Sequence, residues 1–195
     1  MSGVARAAHR QGEGQAIVNT AEHIRVSRLL REAGNVERCH VIPHLGSYTV
    51  GKHSYDALSL LLVLYPHPGP SQVLIKAMLW HDVPERWTGD LPAPVKWASG
   101  ELAKSLQGIE NRCYKAACIP MNELDPAERQ WLDAVDKIEL LLWAKEQLFL
   151  GNGNAATVIG CLARYFQDNE ARMPKECVEF LKQHQHTRTA DAIPG

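Results

Sequence analysis

A histidine followed at once by an aspartate, His81-Asp82, closes an almost wholly apolar run of Val73, Leu74, Ile75, Ala77, Met78, Leu79 and Trp80. At 3.6 residues per turn His81 lies over Ala77 and Leu74, and Asp82 over Met78 and Ile75. A carboxylate in such a setting is costly to bury alone. A divalent cation is one partner that satisfies both an imidazole and a carboxylate. A second apolar helix offers two more aspartates, which its period separates. Asp133 shares a stripe with Arg129 and Lys137, the pattern of a solvated ion-paired face. Asp136 shares its stripe with Leu132, Leu140 and Trp143, and so points toward a core. His53 opens a third apolar segment. Together His53, His81, Asp82 and Asp136 make a two-histidine, two-carboxylate donor set suited to Mn, Co, Fe, Ni or Zn, with positions left open for water and a phosphate oxygen. The chemistry this suggests is metal-assisted hydrolysis of a phosphate ester.

Three neighbouring residues extend the candidate site. Glu85 follows His81 by four positions and reaches the same water if the helical turn continues, although Pro84 removes a backbone donor there. Its alternative is a solvent-facing residue paired with Arg86. In the loop Thr88-Gly89-Asp90-Leu91-Pro92-Ala93-Pro94-Val95-Lys96, Asp90 could accept a hydrogen bond from a substrate hydroxyl and Lys96 could meet a phosphate. Asp90 could equally cap its own turn. Of the nine histidines, His9, His184 and His186 lie in or near polar tails and His67 in a PHPGP turn, while His40 and His44 sit in a polar loop and stay ambiguous.

The elements that must position these groups are helices. Apolar spacing predicts one from about Thr20 to Ala33, stopped by Gly34 and Asn35, and then a loop to Lys52. His53 begins the next helix, which ends at PHPGP. Ser71 caps SQVLIKAMLWHD. A helix from about Ser99 to Ile119 carries Leu102, Leu106, Ile109 and Cys113 on one face. Asp125, Pro126 and Glu128 form a helix start of capping-box type, and Gly151 and Asn152 stop that helix after Leu150. Two shorter helices, near Ala155–Asp168 and Lys175–Gln185, follow. The expectation is an all-α fold, a compact single domain over residues 20–185 built as a bundle of six or seven helices, with flexible segments at 1–19 and 186–195.

Composition bounds the partners. The chain has 195 residues with 21 Lys+Arg against 22 Asp+Glu, and a net charge of −1 gives no bulk field to hold a nucleic-acid polymer or an acidic membrane. The longest apolar run, Ala57 to Tyr65, is broken by Ser59 and falls short of the roughly 20 residues a membrane helix needs. Five cysteines without a Cys-x-x-Cys pair, and no apolar stretch among the first twenty residues, predict a cytoplasmic protein.

The order His53, His81-Asp82, Asp136 resembles that of the HD-domain metal-dependent phosphohydrolases. "HDVPERWTGDLPAPVKW", from His81 to Trp97, and "DKIELLLWAKEQLFLGN", from Asp136 to Asn152, are more closely similar to the bacterial HD-domain 5′-deoxynucleotidases, over about residues 25–152. The resemblance implies a helical fold, one divalent metal held by His53, His81, Asp82 and Asp136, and release of deoxynucleoside from a small 2′-deoxynucleotide. It implies that Glu85 assists the attacking water, Asp90 meets the sugar hydroxyl, Arg38 binds substrate and Lys96 lies near phosphate. Two positions depart from the family pattern. Cys39 stands where the family places a tryptophan beside the nucleoside, and Lys52 stands where it often has glutamate, an added positive charge that could favour more phosphates. Related small phage proteins act on deoxynucleoside triphosphates, including dATP. A dNTP triphosphohydrolase releasing tripolyphosphate is therefore the alternative activity, with a lean to deoxyadenine nucleotides in either case. A non-catalytic nucleotide-sensing scaffold is the alternative of another class. A homo-oligomer is expected.

Overall fold

The longest helix is the one with the strongest start signal. In the computed structural model, which describes residues 20–92 and 99–184, it runs Pro126–Phe149. The Asp125 side chain accepts from the Glu128 backbone, and the Glu128 side chain accepts from the Asp125 N–H, so the capping box closes in both directions. The helices, in chain order, are α1 (Thr20–Ala33), α2 (Val50–Leu64), α3 (Gln72–Trp80), the single turn α4 (Glu85–Thr88), α5 (Gly100–Ala117), α6 (Pro126–Phe149), α7 (Ala155–Asn169) and α8 (Lys175–His184). Seven of them are nine residues or longer, and no strand occurs among the described residues, as an all-α reading expects. No helix of the described residues is long and apolar enough to cross a membrane.

Helix α6 is the axis of the bundle and packs against α2, α3, α7 and α8, while α1 packs on α4 and α5. Its inward stripe includes Val135 and Ile138, fully buried against Leu61 of α2 and Leu74 and Met78 of α3. Near the start of α6, the rings of Tyr65 and Trp131 meet with centroids 4.7 Å apart. These apolar contacts hold α2, α3 and α6 side by side, and each contributes a polar group where the three come together.

The boundaries differ from the sequence expectation in two places. Helix α2 begins at Val50, three residues before His53, because Thr49 caps it by accepting from the Lys52 N–H at 3.2 Å. Gly51 is therefore helical, and it sits where α2 crosses the end of α1: its N–H donates to Gly34 O at 3.0 Å. The second difference is the end of α3: the helix stops at Trp80, residues 81–84 form a turn, and Pro84, with φ −56°, stands at the N-cap of α4.

Between α1 and α2 the chain folds back on itself. Val50 N donates to Val36 O, Arg38 N donates to Tyr48 O at 2.7 Å, and Glu37 and Thr49 form an isolated antiparallel bridge. This tie carries Arg38 to the start of α2, beside His53. The returning loop is anchored to the far end of α6 by Gln147, whose amide accepts from Leu45 N and donates to Leu45 O.

Candidate metal centre and substrate cavity

His53 projects from the first turn of α2, His81 caps the end of α3, Asp82 follows in the turn, and Asp136 faces inward from the middle of α6. His53 is fully buried, and His81 is 9% exposed. Tyr114 of α5 fixes the His-Asp turn by donating its hydroxyl to His81 O at 2.6 Å. Donor atoms of His53, His81 and Asp82 all lie within 4.8 Å of one another. The two Nε2 atoms are 3.3 Å apart. Asp136 Oδ1 joins them at 3.1 Å from His53 Nε2 and 3.6 Å from His81 Nε2. Asp82 Oδ2 lies 3.5 Å and 3.4 Å from the same two atoms.

Hydrogen bonding on the outer edges of the rings decides what the inner edges present. His81 Nδ1 sits 2.9 Å from Met78 O, which can only accept, so Nδ1 carries the proton and Nε2 keeps its lone pair. Burial lowers the His81 pKa, against the pull of Asp136, and favours that neutral form. Lone pairs and carboxylate oxygens thus converge on one point. Ligand bonds of about 2.0–2.2 Å put neighbouring donors about 3.0–3.5 Å apart, which these separations match. Asp82 Oδ2 is buried against the two imidazoles and is ion-paired with the Arg38 guanidinium. The residues fit a divalent metal.

Positive charge is already gathered here. The Arg38 guanidinium, 8% exposed, pairs with Asp82 and reaches Asp136 at 3.9 Å, and it lies 5.7 Å from the centre of the Tyr48 ring. Burial opposes its charge, but Tyr48, Asp136, Glu85 and Asp90 outweigh burial and raise its pKa above the ordinary value. Lys137 Nζ pairs with Asp136 Oδ2 at 2.5 Å. Burial alone would raise Asp136; Lys137 and the two imidazoles hold its carboxyl well below the usual range.

Two cavities meet at this cluster and share Asp82, Glu85 and Asp136 as walls. The larger, of about 300 Å³, is lined by Arg38, Cys39, Asp90 and Lys137 and by apolar or aromatic Leu140, Leu162 and Tyr165. The smaller, of about 230 Å³, is polar and lined by Gln107, Glu110, Asn111, Asn122 and Arg129.

The structure brings most of the expected residues together. Glu85 is buried at the shared wall, and Arg86 pairs with Glu32 of α1 instead, so the solvent-facing alternative for Glu85 is excluded. Asp90 Oδ2 accepts from the Cys39 N–H at 2.6 Å, tying the two loops that border the cavity. Lys52 is placed elsewhere. It is half exposed on the outer face of α2 and pairs with Asp56 one turn on, because an N-terminal helical position next to His53 points about 100° away from it. Lys96 and the expected terminal segments lie outside the described residues.

Sequence reasoning missed four polar groups. Lys137 belongs with Asp136 and not on the exposed stripe of Asp133. Tyr48 and Glu139 are buried beside His53, and Gln147 is buried at the far end of α6. Glu139 carried a legible signal, since Val135 and Trp143 flank it at four residues on either side as apolar residues flank Asp136. Tyr48, in an aperiodic loop, carried none.

The fold is that of solved HD-domain phosphohydrolases. One from Listeria innocua superposes with a TM-score of 0.65 at 21% identity, over 82% of this chain and 86% of that one. The cyanophage S-2L HD phosphohydrolase DatZ, solved with dA and one catalytic Zn2+ ion, superposes with a TM-score of 0.61 at 20% identity, over 83% of this chain and 97% of that one. Residues 27–184 match the 5′-deoxynucleotidase YfbR-like family, and the chain belongs to that family. A 5′-deoxynucleotidase of Pasteurella multocida is 31% identical over 101 residues, 45% of this chain and 51% of that protein, so the chain spans about half the length of this curated relative.

Proposed function

We propose that the protein is a metal-dependent phosphohydrolase of small 2′-deoxynucleotides that removes the 5′-phosphate and leaves the deoxynucleoside. The observation that carries this reading is the convergence of four donor atoms beside buried Glu85, at the inner end of a cavity that also holds Arg38 and Asp90. Family membership supports the substrate class. The lean to deoxyadenine has support in DatZ, which shares the fold and was solved with dA.

In this reading His53, His81, Asp82 and Asp136 hold one divalent transition metal, whose chemistry when bound is to polarise the phosphoryl group and lower the pKa of water. Arg38 and Lys137 receive phosphate oxygens on the side of the larger cavity. Glu85 orients the attacking water and takes its proton as the water oxygen bonds to phosphorus. The bond from phosphorus to the 5′-oxygen breaks, and that oxygen leaves as a hydroxyl after taking up a proton. Asp90, already fixed by the Cys39 N–H, has lone pairs left for a sugar hydroxyl. The protein works as a cytoplasmic enzyme, consistent with its five free cysteines, and as a homo-oligomer, consistent with apolar side chains exposed on α2 and at the end of α6.

A panel of dNMPs, dNTPs and ribonucleotides, assayed with Mn2+ or Co2+ and with product identification, tests the reading. Inorganic phosphate and deoxynucleoside from dNMPs are expected, with silence after chelation. Tripolyphosphate from dNTPs would replace the reading with a triphosphohydrolase, and no turnover of any nucleotide would sink it. Asp82→Ala should lose metal and activity together. Glu85→Gln should keep the metal and lose about 10²–10⁴-fold in rate.

A further inference from the structure

We infer that Glu139, held by Tyr48, is a positioning residue that fixes the tautomer and aim of His53 and so sets how tightly the donor cluster grips a divalent cation. This rests on the metal-centre reading above. Glu139 lies on α6 one turn beyond Asp136 and is 4% exposed. Its Oε2 accepts from the Tyr48 hydroxyl at 2.6 Å and from His53 Nδ1. Tyr48 is itself immobilised. It is fully buried and stacked on Trp143, with ring centroids 4.3 Å apart and planes within 11°.

Proton bookkeeping makes the arrangement directional. Tyr48 has one hydroxyl proton and gives it to Glu139, although its oxygen also lies 3.2 Å from His53 Nδ1. Glu139 as a carboxylate can only accept. The Nδ1 of His53 must then bring its own proton, which leaves the Nε2 lone pair toward His81, Asp82 and Asp136. His81 reaches the same state through Met78 O, a neutral backbone acceptor. The two imidazoles are therefore unequal: the one backed by a carboxylate is the stronger donor to a metal. A core with only packing to satisfy has no reason to enclose a carboxylate here, because burying one is costly.

The test is Zn2+ affinity of the full chain, measured by competition with a chromophoric chelator, alongside 15N shifts of the His53 ring in the metal-free protein. The wild type should bind Zn2+ and hold His53 as the Nδ1–H tautomer. Glu139→Gln should weaken Zn2+ binding about 10–100-fold and leave His53 a mixture of tautomers. If Glu139→Gln does not fold, Tyr48→Phe serves instead, with a smaller loss in the same direction. Wild-type binding with a folded variant within about twofold of it overturns the inference alone, as does an Nε2–H tautomer in the wild type. A wild type that takes up no Zn2+ overturns the metal-centre reading as well.

Discussion

Cys39 lines the larger cavity with φ +52°, a backbone conformation that side chains other than glycine seldom adopt. The Asp90 carboxylate holding its N–H compensates for that conformation. Burial pushes the Cys39 thiol up to about 12, and does the same for Cys177. A thiol with a raised pKa stays protonated, and so poorly nucleophilic, until the pH approaches that value. At pH 7.5 iodoacetamide should therefore modify exposed Cys118 well before Cys39 or Cys177, and Cys39 labelling should keep rising through pH 10. Rapid labelling of Cys39 at neutral pH, followed by peptide mass spectrometry, would contradict this. At this scale the legible residues are those where a charge interrupts a periodic apolar stripe. Asp82 and Asp136 could be picked out that way, and Glu139 obeys the same rule. Arg38 could be found only by likeness, because its burial depends on backbone ties to Tyr48 that no local pattern announces.

Helices α1 and α2 cross where glycine meets glycine. A Cβ on Gly51 would lie 3.0 Å from Gly34 O, a backbone atom that would have to give by a few tenths of an ångström. Gly51→Ala should thus destabilise the protein by about 1–3 kcal/mol in urea denaturation, and with it loosen the placement of His53 two residues on. A change below about 0.5 kcal/mol would mean that the helices part without cost. This crossing explains why the start of α2 was the least legible boundary. Glycine normally argues against a helix interior, and the reason for it here lies on another element. Helix α6 was legible throughout, since its cap, its proline and its terminal glycine are all local signals. Pro84 signalled truly that the regular helix stops, but no local signal said that a new turn, α4, starts just after it and buries Glu85.

Across the whole molecule the near balance of charge conceals a local concentration of charged groups. Arg38, Lys137 and Asp90 line the larger cavity beside the Asp82–Asp136 pair, and the polar cavity adds Glu110, Asp133 and Arg129. A net charge of −1 pointed to a small substrate, but no sum over composition could reveal a mainly apolar cavity and a polar one that share the same carboxylates. The exterior carries its own asymmetry. Tyr55 and Val63 on α2 are 69% and 80% exposed, and Phe149 at the end of α6 is 91% exposed. Surfaces of this kind favour association, so multi-angle light scattering should return a mass above that of one chain, and a monomer mass at micromolar protein would remove the homo-oligomer from the reading. The helix-by-helix origin of the site has a further consequence, for the order of events during synthesis. His53 and His81 are 28 residues apart, and Glu139 follows His53 by 86. Contacts of that range form late, after local helices have appeared. A nascent chain that ends before α6 carries both histidines and Asp82 but no Asp136 to join them, so ion capture becomes one of the last acts of folding.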